Sequence, residues 1–214
     1  MATERAVAAV PKRPGWMHNF AHPRGLVGTA VGWLMARKNR GINELAVAAL
    51  DPAPDASLLE IGFGPGVAIE LLAAVAPHAS IHGIDISAAM VRQASRRNRR
   101  RVSAGAVRLR QGAAEALPYP EDSFDGVLAT NSYHLWPDQP AALAEILRVL
   151  RPGGRLVLGL RTAPAQPGKY VAPGFSAQEL RTVCEQLEAA GFTRIERGSG
   201  VADGREVVLL SART

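Results

Sequence analysis

The stretch Leu58-Leu59-Glu60-Ile61-Gly62-Phe63-Gly64-Pro65-Gly66 holds the strongest fold signal in the chain. Residues 57–61 are a short apolar run that reads as a buried strand, and 67–76 carry helical periodicity behind it. Between them, glycine recurs at every second position, at 62, 64 and 66. A strand that enters a helix through glycines lets the backbone turn sharply and approach a ligand at the carboxyl end of the strand. A dinucleotide fingerprint would place a glycine three residues after Gly64, where this chain has Val67. Glu60 stands two residues ahead of the first glycine, where a carboxylate opposes a pyrophosphate and suits a cationic ligand.

Outward from this motif, strands and helices alternate. Residues 80–84 read as a second strand, 87–100 as a helix, and 107–111 and 124–130 as the third and fourth strands. Residues 140–150 read as a helix, Arg151-Pro152-Gly153-Gly154 as a turn and 155–160 as a fifth strand. This alternation implies a parallel sheet covered on both faces. The carboxyl-terminal part differs. Ser176-Ala177-Gln178-Glu179 is a capping box, and its helix should stop near Gly191. Residues 193–197 and 206–211 then form an antiparallel hairpin across turn material that includes Gly200, Asp203 and Gly204. The expected fold is α/β: a Rossmann-like, doubly wound, mostly parallel seven-stranded sheet with a C-terminal antiparallel hairpin and added N-terminal helices. Residues 1–50 are expected to be an N-terminal tail and helical lid, with helices over 26–40 and 42–50, and 51–214 the ligand-binding domain.

Asp85 lies 19 residues after Gly66, at the end of the second strand. A carboxylate there can accept both hydroxyls of a ribose, as in many nucleotide sites. The competing reading, a cap on the next helix, falls more naturally to Ser87.

The motifs from 57 to 160 resemble the class I S-adenosyl-L-methionine (SAM)-dependent methyltransferase family, in particular its ubiquinone/menaquinone-biosynthesis (methyltransferase type 11) members. The glycine stretch resembles the first family motif, and Gly83-Ile84-Asp85-Ile86-Ser87 with Met90 the second. Gln111-Gly112-Ala113-Ala114-Glu115-Ala116-Leu117-Pro118-Tyr119 resembles the third. Ser123-Phe124-Asp125-Gly126-Val127 through Asn131 resembles the fourth, and 145–154 carry the E-x-x-R-V-L-x-P-G-G signature. The resemblance implies that Glu60, Gly62 and Gly64 line the methionine end of SAM, with Phe63 and Gly66 also among the cofactor-binding residues. Asp85 then holds the ribose, Ile86 and Met90 flank the adenine, and Asn131 sits at the opening. The family often has an acidic residue where this chain has Ala113, so backbone contacts from Ala113 and Ala114 are expected instead. The implied product is S-adenosyl-L-homocysteine.

Methyl transfer from a sulfonium is an in-line displacement, so the protein aligns a nucleophile and excludes water. Candidates lie just after the fourth strand, in Asn131-Ser132-Tyr133-His134-Leu135-Trp136. His134 is the candidate base, because imidazole titrates near neutrality; a structural hydrogen bond is the competing role. Asn131 and Tyr133 are further candidates, and Trp136 is expected to pack. Trp16, His18, Phe20, His22 and Trp33 crowd the N-terminal region and could touch donor or acceptor, and Lys169 and Tyr170 sit in a Pro/Gly-rich loop. His18 and His22 have the i, i+4 spacing of a metal pair, but no third ligand lies near, so no metal is expected.

Composition bounds the rest. A single cysteine, Cys184, excludes an internal disulfide and a Cys-rich zinc site. It lies in an amphipathic helical pattern and reads as a small apolar residue. Residues 6–10 are too short for a signal peptide, and the apolar stretch 26–36 is too short to span a bilayer. A cytoplasmic protein acting on a small-molecule acceptor is expected, with monomer and homodimer both open. A formal charge of +6 permits nucleic-acid contact without requiring it. The basic run Arg96-Arg97-Asn98-Arg99-Arg100-Arg101 admits an RNA methyltransferase as a second reading. The solvated end of a helix is the favoured explanation of the run, since no aromatic residues interleave it. The motifs also admit a SAM-binding protein without catalysis. An NAD-dependent dehydrogenase is disfavoured by the glycine spacing.

Overall fold

A computed structural model describes residues 39–164 and 174–214. The N-terminal tail, the expected helix before residue 39, the aromatic and histidine cluster from Trp16 to Trp33, and Lys169 and Tyr170 lie outside the described residues.

Helix α1 (Arg40–Leu50) precedes strand β1 (Ser57–Ile61), α2 (Val67–Val75), β2 (Ser80–Asp85), α3 (Ala88–Arg97) and α4 (Arg99–Ser103). Then come β3 (Val107–Gln111), β4 (Phe124–Thr130), a 3₁₀ turn (Tyr133–Leu135), α5 (Gln139–Val149), β5 (Leu150–Arg161), α6 (Ala177–Ala189), β6 (Thr193–Ala202) and β7 (Arg205–Arg213). The seven strands form one sheet in the order β3-β2-β1-β4-β5-β7-β6. β7 alone runs antiparallel to its neighbours, so the expected mixed sheet with a closing hairpin is present. The chain winds outward from β1 to β3 and returns to place β4 on the other side of β1. The switch point therefore lies between β1 and β4, where such sheets bind ligands.

The strand residues alternate between two cores. Leu59 and Ile61 face a cluster with α5 and α6, whereas Leu58 faces one built with α1 and α2. Helix α1 is integral to the second core through Ala46, Val47 and Leu50, its Ile42 packs with Ala202 and Val207 of the hairpin, and α1 packs on β4, β5, β6, β7 and α2.

Several boundaries differ from the sequence reading for identifiable reasons. The helix expected over 87–100 breaks at Asn98, whose buried Nδ2 donates to the carbonyls of Gly66 and Ala94. The hairpin is longer than expected and turns on Asp203 and Gly204 alone, both left-handed at φ 53° and 72°, the pattern of a tight primed turn. Gly200 is inside β6, paired with Val207, where a Cβ would meet Leu45 of α1 at 2.9 Å. The turn at 151–154 is looped out of β5, between Leu150 opposite Phe124 and Arg155 opposite Gly126. The capping box forms as read, with Ser176 and Glu179 exchanging bonds.

Candidate active site

All three motif glycines adopt left-handed backbone, at φ 72°, 52° and 80°. Their reasons differ. A Cβ on Gly62 would collide with Ser132 Cβ, and one on Gly66 would lie 2.7 Å from Ala94 Cβ. A Cβ on Gly64 would meet nothing within 4 Å. Two glycines thus allow protein to approach protein, and the third leaves an open face on the loop.

Asp85 fixes this loop. Its Oδ2 accepts from the Gly64 N–H and its Oδ1 from the Ser87 N–H, both at 2.8 Å, while Ser87 Oγ caps α3 at Met90. The cap role thus falls to Ser87, and Asp85, 6% exposed, joins the glycine loop to the end of β2. Glu60 lies beneath, 1% exposed. Among the described residues its Oε2 has no hydrogen-bond partner. Burial, and then the negative charge of Asp85, push its carboxyl well above the usual carboxylate range, against an opposing contribution from the Ile69 N–H. A buried carboxyl with an unused oxygen fits a ligand that brings a positive charge with N–H donors.

The adenine-side residues divide. Ile86 is 46% exposed at the end of β2, an apolar side chain open to a flat ring. Met90, expected beside it, is instead buried in the α1–α2 core. The side chain of Phe63 is also turned into that core, where a Cβ on Gly83 would meet its ring at 2.6 Å; only its backbone belongs to the loop. Ala113 and Ala114 follow Gly112, whose N–H donates to the Asp85 carbonyl. The segment beyond them is clamped by the E-x-x-R pair: Glu145 accepts from the Leu117 N–H, and Arg148 donates to the carbonyls of Leu117 and Tyr119.

After β4 the loop is held by side chains. Asn131 is left-handed at φ 52°, donates its N–H to the Gly159 carbonyl and its Nδ2 to Asn39. Ser132 Oγ donates to the Ile61 carbonyl at 2.9 Å, tying the loop to the end of β1. Thr130 donates to Asn43 of α1. Tyr133, expected beside an acceptor, is fully buried: its hydroxyl donates to Gln186 of α6, and burial holds the phenol above its ordinary range. Gln186 continues to Gln139, which returns to the Tyr133 carbonyl. Trp136 packs against Tyr133, as expected. His134 is half-buried, with its ring edge-on to Phe175 at 5.9 Å.

Sequence reasoning misses Ser132, Gln139 and Gln186. Gln186 carries a signal, a polar residue three positions after Val183 on an otherwise apolar helix face; Ser132 carries none. Among the described residues there is no group of metal-binding side chains, and no helix is long and apolar enough to cross a membrane. The basic run is partly occupied, since Arg97 donates to the Pro65 carbonyl and pairs with Glu70, and Arg101 donates to Pro77.

Comparison with known proteins adds to this geometry. A family model described as a methyltransferase domain matches residues 59–158. The chain is similar to an uncharacterized methyltransferase, YdaC, of Bacillus subtilis, with 35% identity over 167 residues, 77% of this chain and 87% of the relative. It is 32% identical over 121 residues to the ubiquinone/menaquinone biosynthesis C-methyltransferase UbiE of Geotalea daltonii, covering 56% of this chain and 52% of that protein. Among solved structures, a SAM-dependent methyltransferase from Aquifex aeolicus shares the fold, with a TM-score of 0.71, 17% identity and coverage of 88% of this chain and 99% of the other.

Proposed function

The chain belongs to the class I SAM-dependent methyltransferase family, and on that premise we propose that it methylates a small-molecule acceptor held beside Asn131 and His134. Its cofactor is S-adenosyl-L-methionine, which leaves as S-adenosyl-L-homocysteine. When bound, the donor supplies a methyl group already activated on a sulfonium.

The chain's own residues have to bind, orient and keep out water. Glu60 would accept from the ammonium of the methionine end, with Gly64 leaving room for its backbone and Gly62 letting Ser132 close in beside it. Asp85 would hold the ribose, Ile86 would cover one face of the adenine, and the backbone of Ala113 and Ala114 would meet its edge. Phe63, Gly66 and Met90 shape this groove from behind through packing. Asn131 would orient the acceptor, and His134 would take its proton at a ring nitrogen where the acceptor is a hydroxyl. Tyr133 would act only by holding this loop.

The observation that carries the reading is the contact between Gly62 and Ser132. It joins the loop after β4 to the glycine loop, so an acceptor held by the first lies beside a donor held by the second. The relative named for ubiquinone/menaquinone biosynthesis supports a small acceptor. An RNA acceptor has less support, because Arg97 and Arg101 already serve the α3–α4 corner.

The test is methyl transfer from radiolabelled SAM to pooled small hydroxyl, carboxyl and amine compounds, with RNA in parallel. Label in the small-molecule fraction is expected. Label in RNA alone, or tight donor binding with no transfer to any acceptor, would overturn the reading. His134→Ala should lower turnover by about 10²–10⁴-fold with donor affinity unchanged. Unchanged turnover would remove His134 from the chemistry.

A further inference from the structure

A second polar concavity lies at the opposite end of the sheet, where β5 begins and β7 ends. Arg155, Arg194, Glu196, Ser211 and Arg213 line a cleft of about 220 Å³. Three features there are each unfavourable for folding alone. Arg155 and Arg213 are directly paired across β5 and β7, and like charges in that position repel. The ladder of β6 slips between Thr193, opposite Arg213, and Glu196, opposite Ser211, so Arg194 sits in a bulge. Arg194 is also a non-glycine residue in left-handed backbone, at φ 47°. Bulges commonly re-aim a side chain, and this one turns a third guanidinium into the cleft.

The cations are not balanced from within. Among the described residues none of the three arginines forms an ion pair. Their hydrogen bonds use one nitrogen each of two side chains: Arg155 Nη1 donates to the carbonyls of Ala49 and Leu50, and Arg213 Nη1 to that of Gly153. Those bonds anchor two guanidinium groups and leave most of their N–H donors unused. Arg194 is exposed. Glu196 is the one acid lining the cleft, against three fixed positive charges.

We propose that this cleft binds a small phosphate-type oxoanion, free or as the terminal group of a phosphorylated metabolite, at a site separate from the methyl-transfer groove. Guanidinium forks match the tetrahedral oxygens of phosphate and bind them through paired N–H donors. Ser211 adds a hydroxyl donor.

The test compares inorganic phosphate, a simple phosphomonoester and chloride at one ionic strength, by thermal denaturation and calorimetry on the full chain. Phosphate or the ester should raise the melting temperature above chloride, and the tighter of the two identifies the source of the group. Arg194→Gly keeps the left-handed backbone and should weaken that binding about tenfold or more. Glu196→Gln should tighten it by about 1.5- to 5-fold. Neither should alter SAM affinity. An equal response to phosphate and chloride, or unchanged phosphate affinity in Arg194→Gly, would overturn the site. RNA that displaces phosphate with steep salt dependence would overturn the small-anion assignment in favour of nucleic acid.

Discussion

On the β1–β3 side of the switch point the loop is shaped by glycine backbone over the carboxyls of Glu60 and Asp85, and on the β4–β5 side the loop is held by side chains. The glycine loop is held by left-handed peptides and by the Gly64 N–H bond to Asp85, whose other oxygen accepts from the Ser87 N–H. The loop after β4 is held by Ser132, Asn131 and a ring of polar side chains from Tyr133 through Gln186 and Gln139. On the proposed reading the first arrangement holds the methyl donor and the second the acceptor. The two touch through Ser132, which packs on Gly62 and donates to the Ile61 carbonyl. Away from that contact, donor affinity and acceptor handling should separate under mutation.

The largest effect should come from Gly62→Ala, where the two sides touch. The new methyl adds left-handed strain and collides with Ser132 Cβ, so a loss of about 2–5 kcal/mol in unfolding free energy is expected by chemical denaturation. Gly64→Ala carries the strain without the clash, and should cost the fold about 1 kcal/mol while weakening SAM binding. Equal stability losses in the two would show that Ser132 does not press on Gly62. Next comes Asp85→Asn, which offers one acceptor oxygen to two backbone N–H donors. SAM affinity measured by calorimetry should fall about 10- to 100-fold. An unchanged value would remove Asp85 from the donor side.

A pH-dependent effect should appear at Glu60. Its folded carboxyl titrates above the ordinary range because of burial and then Asp85. A raised folded value means that the stability it contributes is complete below the ordinary carboxylate pKa and is lost as pH rises through the folded value. The ligand-free protein should therefore lose stability above the ordinary carboxylate range, and Glu60→Gln, which stays neutral, should flatten that decline. SAM should stabilise the wild type more as pH rises, because its ammonium meets an ionised partner. A parallel decline in both proteins would assign it to another group.

The same contrast explains what is legible in the sequence. The β1 strand, the alternate glycines, the Ser87 cap and the Ser176–Glu179 box are local, and each obeys a short-range rule about backbone groups. Side-chain direction is harder to read. Phe63 and Met90 sit in motifs expected to line the groove, yet both side chains turn into the core shared with α1 and α2. The place of Tyr133 in the loop points to the acceptor, whereas its position is set by Gln186, 53 residues away. No periodicity links two such residues. The break at Asn98 is hidden in a basic run, since its cause is the Gly66 carbonyl, 32 residues earlier.

The smallest effect should come from Tyr133→Phe, and it bears most directly on the side-chain half. The ring stays packed against Trp136 and Phe175, so no cavity opens. What is lost is the hydroxyl's bond to the Gln186 amide oxygen, at a net cost of about 0.5–1.5 kcal/mol. Because the phenol titrates above its ordinary range, it remains a donor at neutral pH, and the change should not alter how activity varies with pH near neutrality. SAM affinity should also be unchanged, since the bonds of Gln186 to Tyr133 and Gln139 lie on the β4–β5 side. Turnover should fall modestly, because His134 is the next residue on the same 3₁₀ turn and loses part of its support. Tyr133→Phe combined with Gln186→Leu should not restore the stability, since the second change also takes from buried Gln139 the amide that donates to it. If the single variant weakened SAM binding as much as it lowered turnover, the two halves of the site would be one cooperative unit.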